Sequence, residues 1–208
     1  SVQFRDTAGN AASAVNDTIV LDSVAPGVPS LASPANGSST NDTTPTLDWS
    51  GSSGATSYQV MYDDNSGFSS PLILNTYNAY YTLTSMYSST AGTYYWKVRA
   101  GDESGNWSAL SSAFSFTIDA TPPTMTLTSS AVADGGTHNA AVTMTFTSSE
   151  ATSNFVAGDI TAINASISNF TAVNSTAYTA TITPSGSSPS VVVGSNKFTD
   201  GAGNNNTT

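Results

Sequence analysis

One five-residue pattern, Asp-x-x-Gly-Asn, occurs three times at a nearly fixed interval, and no other feature restricts the fold as much. It reads Asp6-Thr7-Ala8-Gly9-Asn10, then Asp102-Glu103-Ser104-Gly105-Asn106, then Asp200-Gly201-Ala202-Gly203-Asn204. The first two aspartates lie 96 residues apart and the last two 98. A second pattern keeps the same step: Leu21-Asp22-Ser23-Val24-Ala25-Pro26 returns 97 residues later as Ile118-Asp119-Ala120-Thr121-Pro122-Pro123. A shared period in two unrelated patterns marks tandem repeats. A period of about 100 residues exceeds most solenoid units and fits a string of small domains, each with its own core.

Apolar residues alternate with polar ones along most of the chain. The sets are Leu47 and Trp49; Tyr58, Val60 and Tyr62; Tyr81 and Leu83; Tyr94, Trp96, Val98 and Ala100; Phe114, Phe116 and Ile118. Beyond Pro123 they continue with Met125 and Leu127; Val142, Met144 and Phe146; Tyr178, Ala180 and Ile182; Val191 and Val193. Period-two alternation puts each set on one face of a strand. Turn clusters such as Asn36-Gly37-Ser38-Ser39 separate the runs. About seven short strands per repeat predict a β-sandwich. The repeated pattern then reads as the hairpin between the last two strands of each sandwich, with Asp accepting turn N–H groups and Gly supplying a positive φ. Asp-x-x-x-Pro reads as the linker that ends one unit and begins the next, where proline breaks pairing and stiffens the joint.

Charge excludes several functions. Only 9% of residues are charged, and the net charge of −10 comes with just four basic residues, Arg5, Lys97, Arg99 and Lys197. Such a surface disfavours nucleic acid and anionic lipid. No apolar run is long enough to span a membrane, and no cysteine is present to form a disulfide. Neither a starting Met nor a signal peptide is apparent, so the chain reads as a mature or excised segment of something longer. The lone histidine, His138, lies between strands, and no nucleophile, phosphate-loop or zinc motif occurs. The expectation is a protein that is not an enzyme.

The residues carry a family resemblance. Residues 27–119 resemble a fibronectin type III domain, through Leu47-x-Trp49, Tyr58-x-Val60-x-Tyr62 and the run from Gly92 to Ala100. That resemblance implies a corner tyrosine at Tyr94. Residues 120–208 resemble a bacterial Ig-like domain of the kind strung together in surface adhesins. The carriers are Phe146 to Glu150, Phe155 to Ile160, Tyr178 to Pro184 and Phe198 to Asn204. The expected fold is all-β: a partial Ig-like hairpin with its linker at 1–26, a fibronectin-like sandwich at 27–119, and an Ig-like sandwich at 120–208 lacking its last strand. The resemblance implies an extracellular or cell-surface setting, prokaryotic in type, and a stalk, adhesin or filament. A glycan- or protein-binding module is the alternative. For it, Tyr77, Tyr80 and Tyr87 are the candidate exposed aromatics, and a glycan or cell-surface molecule would be the partner.

Two readings of the ends stay open. Residues 1–26 read as the last hairpin of an earlier unit, so the chain is either a window on a longer array or a strand donor. In the second case Thr18, Ile19, Val20 and Leu21 of one copy would complete the final sandwich of the next, joining identical subunits head to tail. The joints hold the candidate metal ligands. Loop placement in a sandwich of this kind brings Asp22 near Asp102 and Glu103, and Asp119 near Glu150 and Asp200. Oxygen-only clusters suit Ca²⁺, while the competing reading has Asp102 and Asp200 capping their own turns. An isopeptide bond is not expected, because Lys97 and Lys197 both alternate with inward residues.

Overall fold

The computed structural model describes residues 4–12, 19–84, 90–131, 133, 136, 138 and 140–208. Its first sandwich contains β1 (Leu31–Ser33), β2 (Ser38–Thr40), β3 (Thr46–Trp49), β4 (Ser57–Asp63), β5 (Leu72–Thr76), β6 (Tyr80–Thr82), β7 (Gly92–Gly101) and β8 (Phe114–Ile118). One sheet has the order β1-β3-β6 and the other β2-β8-β7-β4-β5. All pairings are antiparallel except β2 with β8, which run parallel. The alternation seen in the sequence places Leu47, Trp49, Tyr58, Val60, Tyr62, Trp96, Val98, Phe116 and Ile118 between the sheets. Tyr62 stacks on Tyr94 with ring centroids 5.4 Å apart. Burial of large aromatic side chains, each contributing about 1.5–3 kcal/mol, holds the two sheets together without a disulfide.

Tyr94 is buried and donates its hydroxyl to the carbonyl of Thr90 at 3.0 Å, the corner contact that the resemblance implies. Among the described residues three other buried groups, Trp49 Nε1, Trp96 Nε1 and the Tyr62 hydroxyl, have no hydrogen-bond partner. Burial, with smaller contributions from Tyr94 and Asp64, pushes the Tyr62 phenol far above its ordinary range and keeps it protonated.

The second sandwich contains β9 (Met125–Ser129), β10 (Val142–Ser148), β11 (Ile160–Ile163), β12 (Ala165–Ala172), β13 (Ala177–Pro184) and β14 (Ser190–Val193). Its sheets are β12-β13-β10-β9 and β11-β14. Phe155 is the hub of the core, with its ring 5.0 Å from Tyr178, 5.3 Å from Phe198, 5.7 Å from Phe170 and 6.0 Å from Phe146. Tyr178 is buried too, but its hydroxyl donates mainly to the distant Thr152 carbonyl at 2.7 Å and only at 3.5 Å to the local Ser175 carbonyl.

Candidate functional site at the joints

The three copies of the repeated pattern fold into one hairpin turn. In each, the side-chain amide of Asn bonds the Asp carboxylate at 2.9 Å: Asn10 to Asp6, Asn106 to Asp102 and Asn204 to Asp200. The Asp N–H also bonds the Asn carbonyl, at 3.0, 3.1 and 3.2 Å in turn. The glycine adopts φ of 85°, 89° and 96° at Gly9, Gly105 and Gly203, a region costly for side chains with a Cβ. These bonds are the reason the pattern recurs. Hydrogen bonds from Asn10 hold Asp6 below the ordinary carboxylate range, and those from Asn106 do the same for Asp102. At Asp200 burial pushes upward, but bonds from Asn204, Ala202 and Gly203 together win and hold it low.

A polar side chain two residues beyond each of the last two turns extends this geometry. Ser108 Oγ accepts from the Ala100 N–H at 3.0 Å. Its counterpart Asn206 is 1% exposed and accepts from the N–H groups of Lys197 and Phe198 at 2.7 and 3.0 Å. Burying that amide is tolerable because it also donates, to the Gly194 carbonyl at 2.9 Å.

Each of the last two turns also grips the linker entering its own unit. Asn106 donates to the Asp22 carbonyl at 3.1 Å, and Asn204 donates to the Asp119 carbonyl at 2.9 Å. At the second joint the preceding sandwich adds a further grip. The Asn41 N–H bonds the Ala202 carbonyl at 3.0 Å, and its side-chain amide bonds the Gly203 carbonyl at 2.8 Å. The linker has no slack there, because the Asp119 N–H still bonds the Thr40 carbonyl at 3.0 Å.

The two joints differ in their carboxylates. One oxygen each from Asp119, Glu150 and Asp200 gather within 4.8 Å of one another. Burial and the charges of Asp119 and Asp200 push the Glu150 carboxyl above its usual range. Among the described residues Asp22, Asp102 and Glu103 form no such cluster. Ser104 Oγ reaches the Asp22 carboxylate at 3.5 Å, and Asp22 otherwise caps its own turn through the Val24 N–H. The reason lies in equivalent loops: the one after β10 carries Glu150, whereas the one after β3 carries Ser52-Ser53.

The donor set at Asp119, Glu150 and Asp200 suits a hard cation. It is all oxygen, and Ca²⁺ takes six to eight oxygens. Asp200 Oδ1 is already filled by the N–H groups of Ala202, Gly203 and Asn204, while its Oδ2 holds one bond. Asp119 Oδ1 accepts from the Thr121 N–H. Glu150 and Asp200 share a side-chain hydrogen bond, so a bound ion would take the place of that bond and draw on Asp119 Oδ2, the Glu150 oxygens and Asp200 Oδ2, with water completing any shell.

The proposed donor strand falls partly outside the described residues, at Thr18. Ile19 and Leu21 are 90% and 87% exposed and in no strand, whereas Phe116 and Ile118, three and one residues before the matching Asp119, are 0% and 1% exposed. Among the candidate aromatics, Tyr77 and Tyr80 are exposed and Tyr87 lies outside the described residues. His138 is exposed and hydrogen-bonds the backbone of Ala140. Sequence reasoning did not single out Asn41. Asn106 and Asn204 were visible as the last letter of the repeated pattern.

Comparison with known proteins accounts for both sandwiches. Residues 119–208 match a family model described as a bacterial Ig-like domain, and residues 32–120 match a second model with the same description. No curated protein matches the chain.

Proposed function

We propose, for a chain that belongs to the tandem bacterial Ig-like proteins, a mechanical role as a section of an extracellular stalk or adhesin. Domains of this kind are typically non-enzymatic structural modules, usually outside the cell or on its surface. No helix among the described residues is long and apolar enough to cross a membrane. The observation that carries the reading is the joint: Asn41 and Asn204 bridge two sandwiches and their linker through three hydrogen bonds. A chain selected to hold neighbouring units end to end spans distance and presents what lies at its tip. Ca²⁺ held by Asp119, Glu150 and Asp200 would neutralise three clustered carboxylates and stiffen this joint further.

Strand donation is the second reading, favoured by the exposed Ile19 and Leu21 and by β14, which pairs only with β11 among the described residues. Light scattering after size exclusion tests both, with and without a peptide covering residues 11–22. A monomer whose small-angle scattering profile stays that of an extended rod supports the covalent stalk. A ladder of oligomers that collapses on adding peptide supports donation. A monomer whose sandwiches reorient freely about residues 119–123 overturns the mechanical reading.

A further inference from the structure

The outer face of the first sandwich holds a feature that the joint does not explain. Lys97 and Arg99, two of the four basic residues in a chain of net charge −10, project from the same side of β7. They stand about 7 Å apart, two residues along one strand. No described carboxylate pairs with either. Each is held by neutral π groups instead. The Lys97 ammonium lies 3.9 Å from the centre of the Phe68 ring, and the Arg99 guanidinium 4.7 Å from the Trp107 ring. Gln59 Oε1 accepts from Arg99 Nε and Nη2 at 2.9 and 2.6 Å, and Gln59 in turn donates to Asn75 at 3.2 Å.

The result is a polar row across three strands, Trp107–Arg99–Gln59–Asn75, with Lys97 beside it. Cross-strand register places it: Arg99 lies opposite Gln59, Lys97 opposite Met61, and Gln59 opposite Asn75. Of the outward positions on β4, β5, β7 and β8, only Asp63 carries a carboxylate, and its oxygens are engaged by the N–H groups of Asn65 and Ser70. The one acid on this face has its carboxylate turned into its own loop, while the cations are fixed in place with side-chain entropy already lost. A lysine and an arginine serving only to cover a sheet would lower their cost by pairing with acids, and the chain has 14 to offer.

We propose that this sheet face binds an acidic polysaccharide. Lys97 and Arg99 would meet carboxylate groups of successive sugars, while Asn75 and Gln59 meet hydroxyls. Charge complementarity selects the acidic ligand, and the flat row of amide and guanidinium groups favours a saccharide over an apolar peptide. Carboxylates elsewhere on the protein act weakly at this face, because physiological salt screens beyond about 8 Å.

The test uses the full chain in 0.15 M salt, titrated by calorimetry with polygalacturonate, with its methyl ester as the uncharged counterpart and with polyglutamate. Trp107, 38% exposed, reports in parallel by fluorescence, since Trp49 and Trp96 are buried. The expected result is binding of polygalacturonate but not of the ester, weakened about tenfold or more by K97Q or R99Q, in line with loss of a charge-assisted hydrogen bond. R5Q, far from the face in sequence, should change it less than about twofold. Circular dichroism confirms that each variant is folded. No binding, equal binding by K97Q and R99Q, or equal binding of polyglutamate overturns the proposal. So does a concentration-dependent dimer abolished by R99Q, which would assign the face to a second copy of the chain.

Discussion

The side-chain amide of Asn204 lies 2.9 Å from both the Asp200 carboxylate and the Asp119 carbonyl, so one residue closes a turn and fastens the linker that enters its unit. Asn204→Ala removes both bonds. Loss of a hydrogen bond to a charged group costs about 1.5–3 kcal/mol, so the second sandwich should unfold at lower denaturant while the first keeps its midpoint. Residual dipolar couplings should show the two units becoming less aligned.

Glu150→Gln should act with a sign set by its raised pKa. A carboxyl whose folded pKa lies above its unfolded value weakens the fold once ionised. The substitution should therefore stabilise the second unit at neutral pH without calcium, and the gain should fade as pH falls through the raised folded pKa and be gone below the ordinary glutamate value. Under the calcium proposal, added Ca²⁺ raises the melting temperature of the native chain and not of E150Q. Thermal scans at two pH values with and without calcium measure both.

Asp200 has the opposite sign. Its folded pKa is depressed, so its contribution is full above the unfolded value and disappears as pH falls through the folded one. Asp200→Asn should abolish that acid-side loss in the second unit. Urea midpoints followed from neutral pH to about pH 2, below the ordinary Asp value, provide the check.

Gly203→Ala should cost about 1–2 kcal/mol, because φ is 96° there and a left-handed residue with a Cβ is strained. The new methyl would also lie 3.5 Å from the Asn41 side chain. Gly105→Ala meets no neighbour within 4 Å. The distance at Gly203 is ordinary van der Waals contact, so backbone strain alone should set the cost, and a comparison of the two variants should show about the same loss of stability.

Phe155→Ala removes the ring that four others contact, and truncations of this kind cost about 3–5 kcal/mol. The second unit should lose its cooperative unfolding transition by calorimetry, with the first unchanged.

Much of this architecture was legible because core-facing residues alternate. Every set from Leu47–Trp49 to Val191–Val193 lies on a strand, apart from Leu83, one residue past the end of β6. The strand β12 was not legible, since a bulge between Ser168 and Thr171, with Asn169 at φ 49°, breaks the alternation of Ile167 and Phe170. The short β1 and β2 carry too few apolar residues to set a period. At the joint, loop order alone brought Asp119, Glu150 and Asp200 together. It also brought the turn of Asp102 and Glu103 onto Asp22, through Ser104 and Asn106, but among the described residues no three-carboxylate cluster forms there, because equivalent loops do not carry equivalent side chains. Asn41 left no trace in the sequence, being a single polar residue among many in a turn-rich stretch.

The parallel pairing of β2 with β8 sets how the first sandwich meets a pull along its length. Ser38, Ser39 and Thr40 lie beside Phe116, Thr117 and Ile118 in the same direction. Tension arriving through the preceding linker meets β1, paired with β3, and past it draws β2 backward from its start, while tension leaving through Asp119 draws β8 forward from its end. The strands must slide past one another, so their bonds share the load and break together rather than opening one at a time like a zipper.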